Sequence, residues 1–188
     1  MAIFCKIVLI GDGAVGKTAL RSRFMGQGFS SNYLMTIGAD MSVKQVMLPA
    51  TPEPIELKFQ IWDLAGQLRF SEVRASFYNG SVGAILVFDV TRPDSFENTP
   101  KWLMEMRKNM NKSIPVVILG NKVDLRSEVP NAVESKHGRG LAKAVGEYYS
   151  DNKFEIPYYE TSAKTGENVE NAFLKLASMI LKYSSTKK

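Results

Sequence analysis

The chain has 188 residues, of which 45% are hydrophobic and 23% are charged. A typical domain holds about 150 residues and has similar fractions, so the composition predicts one folded domain and excludes a mainly disordered or collagen-like chain. The single cysteine, Cys5, excludes an internal disulfide and a zinc cluster. No run approaches the ~20 consecutive apolar residues of a membrane-spanning helix.

The formal net charge of +5 is concentrated at the C-terminus, where four lysines after residue 174 face no acidic residue. A short basic tail is more often a solvated helix end than a nucleic-acid site, so we predict no nucleic-acid partner. Such a tail would give only weak, salt-sensitive membrane contact. We therefore expect a cytoplasmic monomer that is at most peripheral to membranes.

Apolar runs alternate with helical patterns along the chain. Near-continuous apolar runs at 3–10, 84–89 and 114–119 are typical of parallel strands that are covered on both faces. The β-like runs 41–48 and 55–62 are joined by too few residues for a crossover helix, which predicts an antiparallel hairpin. Apolar residues at helical spacing predict helices over 96–110 and 169–181.

The polar stretch 126–135 is interpreted as an insertion or loop, followed by a helix near 140–149. This alternation predicts an α/β fold with three layers: a mostly parallel six-stranded sheet, one antiparallel edge hairpin, and helices on both faces. In such folds ligands bind beyond the carboxyl ends of the strands. We therefore expect the functional residues in the loops at that edge.

A glycine-rich segment follows the first apolar run and fits GxxxxGK[ST] between a strand and a helix. In this motif backbone N–H groups and the helix N-terminus hold phosphates, the lysine reaches the β- and γ-phosphates, and the hydroxyl binds Mg²⁺. A glycine-rich turn without function is the alternative. The predicted phosphate-binding residues are Gly11, Asp12, Gly13, Ala14, Val15, Gly16, Lys17 and Thr18.

The segment 62–67 (WDLAGQ) ends the second strand of the predicted hairpin and places a carboxylate at a strand end. Behind a phosphate loop, Asp63 would hold a magnesium ion directly or through water, and the N–H of Gly66 would meet the γ-phosphate. Gln67 would orient an attacking water. For Gln67 alone, an exposed loop amide is the alternative interpretation.

Two further tetrapeptides follow apolar strands, 121–124 (NKVD) and 161–164 (TSAK). The carboxylate of Asp124 can accept hydrogen bonds from N1 and N2 of guanine, a donor pair that adenine lacks. The N–H of Ala163 can bond the guanine O6, and the stem of Lys164 can cover the base. The predicted guanine-binding residues in these segments are Asn121, Lys122, Asp124, Ser162, Ala163 and Lys164.

Together, these four motifs resemble those of the Ras superfamily of small GTPases over essentially the whole chain. The resemblance implies a P-loop NTPase (G domain) over 1–183, followed by a short basic tail at 184–188. It also implies that Phe29 lies against the guanine and that Thr36 is the switch I threonine that binds Mg²⁺. The segments 33–40, 62–70 and 89–96 are most similar to the Rab branch, whose members mark membranes for vesicle traffic.

A small GTPase of this kind would be a GTP/GDP molecular switch that hydrolyses GTP slowly with Mg²⁺. Effectors, exchange factors and GTPase-activating proteins would bind switch I (30–40) and switch II (63–78). The implied catalytic residues are Gln67, Lys17 and Thr36. The implied metal ligands are Thr18, Thr36 and Asp63.

The chain departs from the usual Rab pattern at several positions. Rab proteins usually have threonine and glutamate at the positions of Leu64 and Leu68, and an aromatic residue at the position of Met41. Because the position of Met41 belongs to the effector-binding face, we expect partners that differ from those of typical Rab proteins. The stretch between Asp124 and Ser162 is longer than is typical of the family, and we expect the extra residues within 126–152. The last eight residues contain no cysteine, so we expect no prenylation there.

Other residues near switch II have less specific interpretations. Trp62 and Phe77 are equally compatible with effector contact and with a core position. For Arg69 and Arg74 we expect exposed ion pairs rather than an intrinsic arginine finger.

Two other functions remain as alternatives. A non-catalytic scaffold would bind guanine nucleotide tightly without stimulated hydrolysis, and the leucines beside Gln67 leave room for it. An ATP-using P-loop enzyme such as a kinase is opposed by the 121–124 and 162–164 segments.

Overall fold

Six strands form one sheet in the order β2-β3-β1-β4-β5-β6. Strand β2 pairs antiparallel with β3, and the other neighbouring strands pair in parallel. The predicted mostly parallel sheet with one antiparallel edge hairpin is therefore confirmed. The strands are β1 (Ile3–Ile10), β2 (Ala39–Leu48), β3 (Ile55–Leu64), β4 (Gly83–Asp89), β5 (Val116–Asn121) and β6 (Tyr158–Thr161).

These strands belong to a computed structural model that describes residues 3–30, 35–49, 53–67, 71–150 and 153–185. Leu68, Arg69, part of switch I (31–34) and the lysines of 186–188 lie outside the described residues. Over the described residues, the helices are α1 (Lys17–Phe24), α2 (Ser71–Tyr78), α3 (Pro93–Glu97), α4 (Thr99–Met110), α5 (Ser135–Tyr149) and α6 (Val169–Ser185).

Helices cover both faces of the sheet, which confirms the three-layer prediction. On one face, α1 and α6 bury an apolar cluster in which the rings of Phe24 and Phe173 stack 3.9 Å apart. On the other face, residues of α2, α4 and α5 pack against the sheet, with Tyr78, Leu103 and Val145 among the buried side chains. Strands β4 and β5 are buried along their whole length, as their continuous apolar runs predict.

The helix expected over 96–110 is instead two helices, α3 and α4. Pro100 has no N–H to donate to the carbonyl of Phe96, and the hydroxyl of Thr99 donates to that carbonyl at 2.6 Å. Part of the predicted insertion is also regular: a 3₁₀ helix spans Val123–Glu128, and α5 begins at Ser135 rather than near residue 140. Helix α6 includes residues 184–185 of the predicted tail.

The sheet brings the four sequence motifs to one edge. Strands β1, β3, β5 and β6 are parallel to one another, so their carboxyl ends point the same way. The glycine-rich loop follows β1, the WDLAGQ segment ends β3, and the NKVD and TSAK segments follow β5 and β6. Over the described residues, no helix has both the length and the apolar character needed to cross a membrane.

Candidate functional site

The loop between β1 and α1 surrounds the side chain of Lys17. Its Nζ donates to the carbonyl oxygens of Gly11 and Asp12, at 2.8 Å each. The side chain is buried, and burial lowers the pKa of Lys17 to about 8, although the nearby Asp63 and Asp12 oppose that shift. Two neutral carbonyls are a weak substitute for an anion, so this buried cation is suited to a phosphate group.

Two glycines let the neighbouring segments approach this loop closely. Gly16 has φ of +98°, and a Cβ there would lie 2.3 Å from Nδ2 of Asn121. A Cβ on Gly66 would lie 2.4 Å from the backbone N of Gly13. A larger residue at either position would force the phosphate loop away from the NKVD segment or from switch II.

Three oxygen-bearing side chains predicted as metal ligands lie together beside Lys17. The hydroxyl of Thr18 donates to Oδ2 of Asp63, and the hydroxyls of Thr18 and Thr36 are 3.1 Å apart. The carboxylate of Asp63 is fully buried, and burial raises its pKa even though Thr18, Lys17 and Arg21 favour the charged form. Its Oδ1 has no hydrogen-bond partner among the described residues.

This donor set fits Mg²⁺. A buried carboxylate oxygen without a partner is costly, and a cation would satisfy it. Magnesium takes oxygen ligands, keeps several waters, and is usually held by one or two carboxylates together with substrate phosphates. One carboxylate and two hydroxyls therefore suit a magnesium–phosphate complex. Over the described ranges, no group of three or more His, Cys, Asp or Glu residues is placed to hold a metal ion.

The side chain of Asn121 forms hydrogen bonds with two segments of the site. Its Nδ2 donates to the carbonyl of Val15 at 2.9 Å, while its Oδ1 accepts from the hydroxyl of Thr161 at 3.2 Å and from the N–H of Ala163 at 3.3 Å. Asn121 and Val15 are both buried. The predicted guanine-binding residue Asn121 thus holds the phosphate loop and the TSAK segment together.

Lys122 and Asp124 follow strand β5 and make separate contacts. Lys122 donates to the carbonyl of Ala14 at 2.8 Å and forms an ion pair with the buried Asp89 at 2.6 Å. Oδ1 of Asp124 accepts a hydrogen bond from the Ser162 hydroxyl at 2.6 Å. Two predicted guanine-binding side chains are therefore in direct contact, and Ser162 fixes the orientation of the carboxylate.

The TSAK segment is also held by α1. Nε of Arg23 donates to the carbonyl of Ala163 at 2.8 Å, and the same guanidinium donates to the carbonyl of Lys164. The side chain of Lys164 is exposed, and Phe29 is 45% exposed. The predicted base-covering residues therefore lie at the surface of the site.

A cleft of about 530 Å³ lies beside the glycine-rich loop and falls within the range of small-molecule sites. Predicted residues between positions 13 and 122 line it: Gly13, Ala14, Gly16, Lys17, Thr18, Phe29, Thr36, Gly66, Gln67 and Lys122. The structure thus brings the predicted phosphate and metal residues together with the first part of the predicted guanine site.

Arg74 does not occupy the exposed position that we expected. It is fully buried, and its predicted ion pair is formed inside the protein with Glu105, at 2.8 Å. Its Nη1 also donates to the carbonyls of Ala65 and Gln67, at 3.0 Å and 2.6 Å. The expectation was wrong because Glu105, on α4, is distant in sequence and gives no local signal.

The side chain of Asp12 turns away from the cleft. Its Oδ1 accepts from the indole N–H of Trp102 at 2.6 Å, and its Oδ2 accepts from the amide of Asn98 at 2.8 Å. Arg92 also donates to the carbonyl of Gly13, at 2.9 Å. These three contacts were missed by sequence reasoning, because no motif or spacing links residues 92–102 to the phosphate loop.

Trp62 and Phe77 are both half-buried, with ring centroids 5.2 Å apart. Trp62 pairs across the hairpin with Met41, which is 44% exposed. The two rings therefore pack on each other and also present a surface beside the switch segments. Gln67, also half-buried, donates through its side-chain amide to the sulfur of Met35.

Comparison with known proteins identifies the family. The Ras family model matches residues 6–182. The chain is 38% identical to the Ras-related protein Rab-10 of Diplobatis ommata over 182 residues, which cover 97% of this chain and 84% of that protein.

Two other relatives agree with this. The Ras-related protein YPT3 of Nicotiana plumbaginifolia is 40% identical over 182 residues, covering 97% of this chain and 77% of that protein. The Ras-related protein Rab-13 of Rattus norvegicus is 38% identical over 176 residues, covering 94% and 79%. Because the family match spans nearly the whole chain and these relatives align over most of their own length, the chain belongs to the Ras family of small GTPases.

Proposed function

We propose that this chain is a guanine-nucleotide switch that binds GTP and GDP with Mg²⁺, hydrolyses GTP slowly and acts in Rab-like membrane traffic. The observation that carries the proposal is the contact of Thr18, Thr36 and Asp63 beside the buried Lys17. The three metal-ligand candidates come from three separate segments. Membership of the Ras family implies that the ligand bound beside them is a guanine nucleotide. A cytoplasmic location with peripheral membrane contact belongs to the same proposal.

The chain's own residues would act on the phosphates by positioning and by charge. Backbone N–H groups of the glycine-rich loop and the N-terminus of α1 would hold the phosphate oxygens. Lys17 would exchange its carbonyl partners for the β- and γ-phosphates, and the N–H of Gly66 would meet the γ-phosphate. Mg²⁺, held by Thr18, Thr36 and Asp63 directly or through water, would neutralise phosphate charge when bound.

Hydrolysis would proceed by in-line attack of water on the γ-phosphorus, with Gln67 orienting that water. Among the described residues, Arg74 is the arginine next to Gln67, and it is buried and fully engaged with Glu105 and backbone carbonyls. Arg74 therefore cannot serve as an arginine finger. The unaided rate should then be on the order of 10⁻⁴ s⁻¹, rising ~10⁵-fold with an activating partner's arginine.

Selection of guanine would depend on Asp124. Its carboxylate accepts a hydrogen bond from the Ser162 hydroxyl at 2.6 Å, and this bond would help to orient it toward N1 and N2 of guanine. Adenine would leave this carboxylate unpaired, which is a strong penalty in a desolvated site.

Switching would be read at the two segments that contact the γ-phosphate. Thr36 lies in switch I, Gly66 and Gln67 lie in switch II, and loss of the γ-phosphate would release both segments. Effectors, exchange factors and activating proteins would bind there, with the exposed Met41 and the half-buried Trp62 and Phe77 beside them. Binding partners should therefore distinguish the GTP-loaded from the GDP-loaded protein.

The test begins by denaturing the purified protein and identifying the released nucleotide by chromatography. Single-turnover GTP hydrolysis with Mg²⁺ is then followed for the wild type, Gln67→Leu and the control Gln45→Leu on the exposed edge of β2. We expect GDP, slow hydrolysis in the wild type and the control, and a rate at least about tenfold lower in Gln67→Leu. Nucleotide affinity should stay unchanged.

A non-catalytic scaffold is the second candidate, favoured by the contact of the Gln67 amide with Met35 rather than with open solvent. It predicts retained GTP and no turnover in either the wild type or the Gln67→Leu variant. Release of an adenine nucleotide would instead remove the guanine assignment altogether.

A further inference from the structure

Arg74 stands at the centre of a buried polar network between α2 and α4. Its Nε and Nη2 donate to the two oxygens of Glu105, at 2.9 Å and 2.8 Å, and the hydroxyl of Tyr78 donates to Glu105 at 2.7 Å. Arg74 and Tyr78 are fully buried. Burial alone would raise the pKa of Glu105, but hydrogen bonds from Arg74 and Tyr78 hold that pKa below its usual range.

The remaining donors of the same guanidinium hold switch II. Nη1 donates to the carbonyls of Ala65 and Gln67, the two residues that flank Gly66. The guanidinium is a planar, rigid fork, and its other edge is fixed on Glu105. Arg74 therefore links the backbone of Gln67 to α4. Because the backbone position is fixed in this way, the direction of the Gln67 side chain is also restricted.

The network continues to the phosphate loop through Trp102. The guanidinium carbon of Arg74 lies 4.4 Å from the centre of the Trp102 ring, and Trp102 is buried. The indole N–H donates to Asp12 at 2.6 Å. A guanidinium over an aromatic face is attractive, and more so when water is excluded. Arg74 and Trp102 thus form a continuous buried connection between Gln67 and Asp12.

We propose that Arg74 is a positioning residue for GTP hydrolysis, which holds Gln67 at a fixed place relative to the phosphate loop through Trp102 and Asp12. The proposal rests on the proposed function, in which Gln67 orients the attacking water. Arg74 touches no reacting atom itself. It acts because water positioning tolerates little displacement of the residue that orients the water.

Arg74→Lys is the decisive variant. It keeps a buried cation opposite Glu105 but has no planar fork to reach Ala65 and Gln67 as well. We expect single-turnover hydrolysis about 10- to 100-fold slower, with GDP and GTP affinities within about threefold of wild type. Arg139→Lys on the exposed face of α5 is the matched control and should hydrolyse at the wild-type rate.

Combining Arg74→Lys with Gln67→Leu distinguishes positioning of Gln67 by Arg74 from a general structural role of Arg74. If Arg74 acts through Gln67, Arg74→Lys adds nothing further to the slow rate of Gln67→Leu. The same fold loss in both backgrounds, or a wild-type rate in folded Arg74→Lys, would overturn the proposal. Should Arg74→Lys fail to fold, Trp102→Phe keeps an aromatic ring beside Arg74 and removes the bond to Asp12 together with part of the buried indole. A wild-type rate in folded Trp102→Phe would contradict the connection to the phosphate loop.

A measurement without hydrolysis distinguishes this proposal from the proposed function. The side-chain amide of Gln67 is observed by NMR in the GDP-bound protein and assigned by its loss in Gln67→Leu. Arg74→Lys should shift this resonance, and Arg139→Lys should not. If the wild type fails to hydrolyse GTP, the proposed activity falls, but a shifted Gln67 resonance still supports positioning by Arg74. An unmoved resonance overturns it.

Discussion

Lys17 shows how a single residue prepares the site for an anion. Its ammonium group is buried, and burial favours the neutral form of a lysine because charge is costly away from water. Two backbone carbonyls accept hydrogen bonds from it but do not neutralise its charge. Bound phosphates would neutralise it, so the pKa of Lys17 should rise when nucleotide binds.

This difference in pKa predicts a pH dependence of nucleotide affinity. With the pKa of Lys17 at about 8 in the free protein, GDP affinity should be constant below that pH and fall above it, by up to about tenfold per pH unit, because binding then requires proton uptake. Titration of a fluorescent GDP analogue on both sides of pH 8 measures this. Lys17→Arg stays charged and reports the contribution of other groups. A wild-type affinity that follows the arginine variant at every pH would contradict the prediction.

Residue roles were predictable where a motif fixes both the residue type and its partner. Thr18 and Asp63 are 45 positions apart, yet their contact was expected because both motifs are predicted to bind the same magnesium ion. No motif described the surroundings of Asp12 or Arg74. Their partners Trp102 and Glu105 lie on one helix whose apolar spacing predicts only that it is helical, so long-range polar contacts there were invisible from the sequence.

At the scale of the elements, the sequence predicted that helix α5 begins near residue 140, five residues later than it does in the structure. Gly138 and Gly140 weaken the helical pattern, because glycine costs backbone entropy in a helix. In the structure, Gly138 lies against the ring of Tyr158, where a Cβ would come within 2.2 Å of the ring. That ring is stacked parallel to Phe88, and its hydroxyl contacts Glu160 at 3.3 Å. Packing of α5 on β6 therefore requires a glycine that local propensity disfavours.

Replacing each of these two glycines by alanine should change the free energy of unfolding in opposite directions. Gly138→Ala forces α5 away from Tyr158 and should lower the free energy of unfolding by about 1–3 kcal/mol. Gly140→Ala meets no atom within 4 Å and should raise it by about 0.5–1 kcal/mol, through helix propensity. Urea unfolding of the GDP-bound variants measures both. Equal effects of the two substitutions would show that the Tyr158 contact does not limit residue 138.

For the whole molecule, the arrangement of strands determines where function is found. Four parallel strands deliver four motifs to one edge of the sheet, so the general location of the site followed from the order of apolar runs and loops. The hairpin of β2 and β3 adds switch I and switch II at the same edge. The 3₁₀ helix after β5 is linked to β6 by the ion pair of Arg126 with Glu160 at 2.5 Å, which no local pattern predicted.

Because the predicted nucleotide-binding residues come from several separate segments of the chain, nucleotide should stabilise the whole fold. A ligand that binds only the folded state stabilises by RT ln(1 + [L]/Kd), about 4 kcal/mol at a thousandfold excess over Kd. For a domain of this size that corresponds to a rise of roughly 8–16 °C in Tm. Thermal unfolding of nucleotide-stripped protein should show this shift with GDP and Mg²⁺, a smaller one with GDP and a chelator because Asp63 then lacks its cation, and none with ADP. An equal shift with ADP would mean that Asp124 does not select the base, and an equal shift without Mg²⁺ would mean that Thr18 and Asp63 hold no metal.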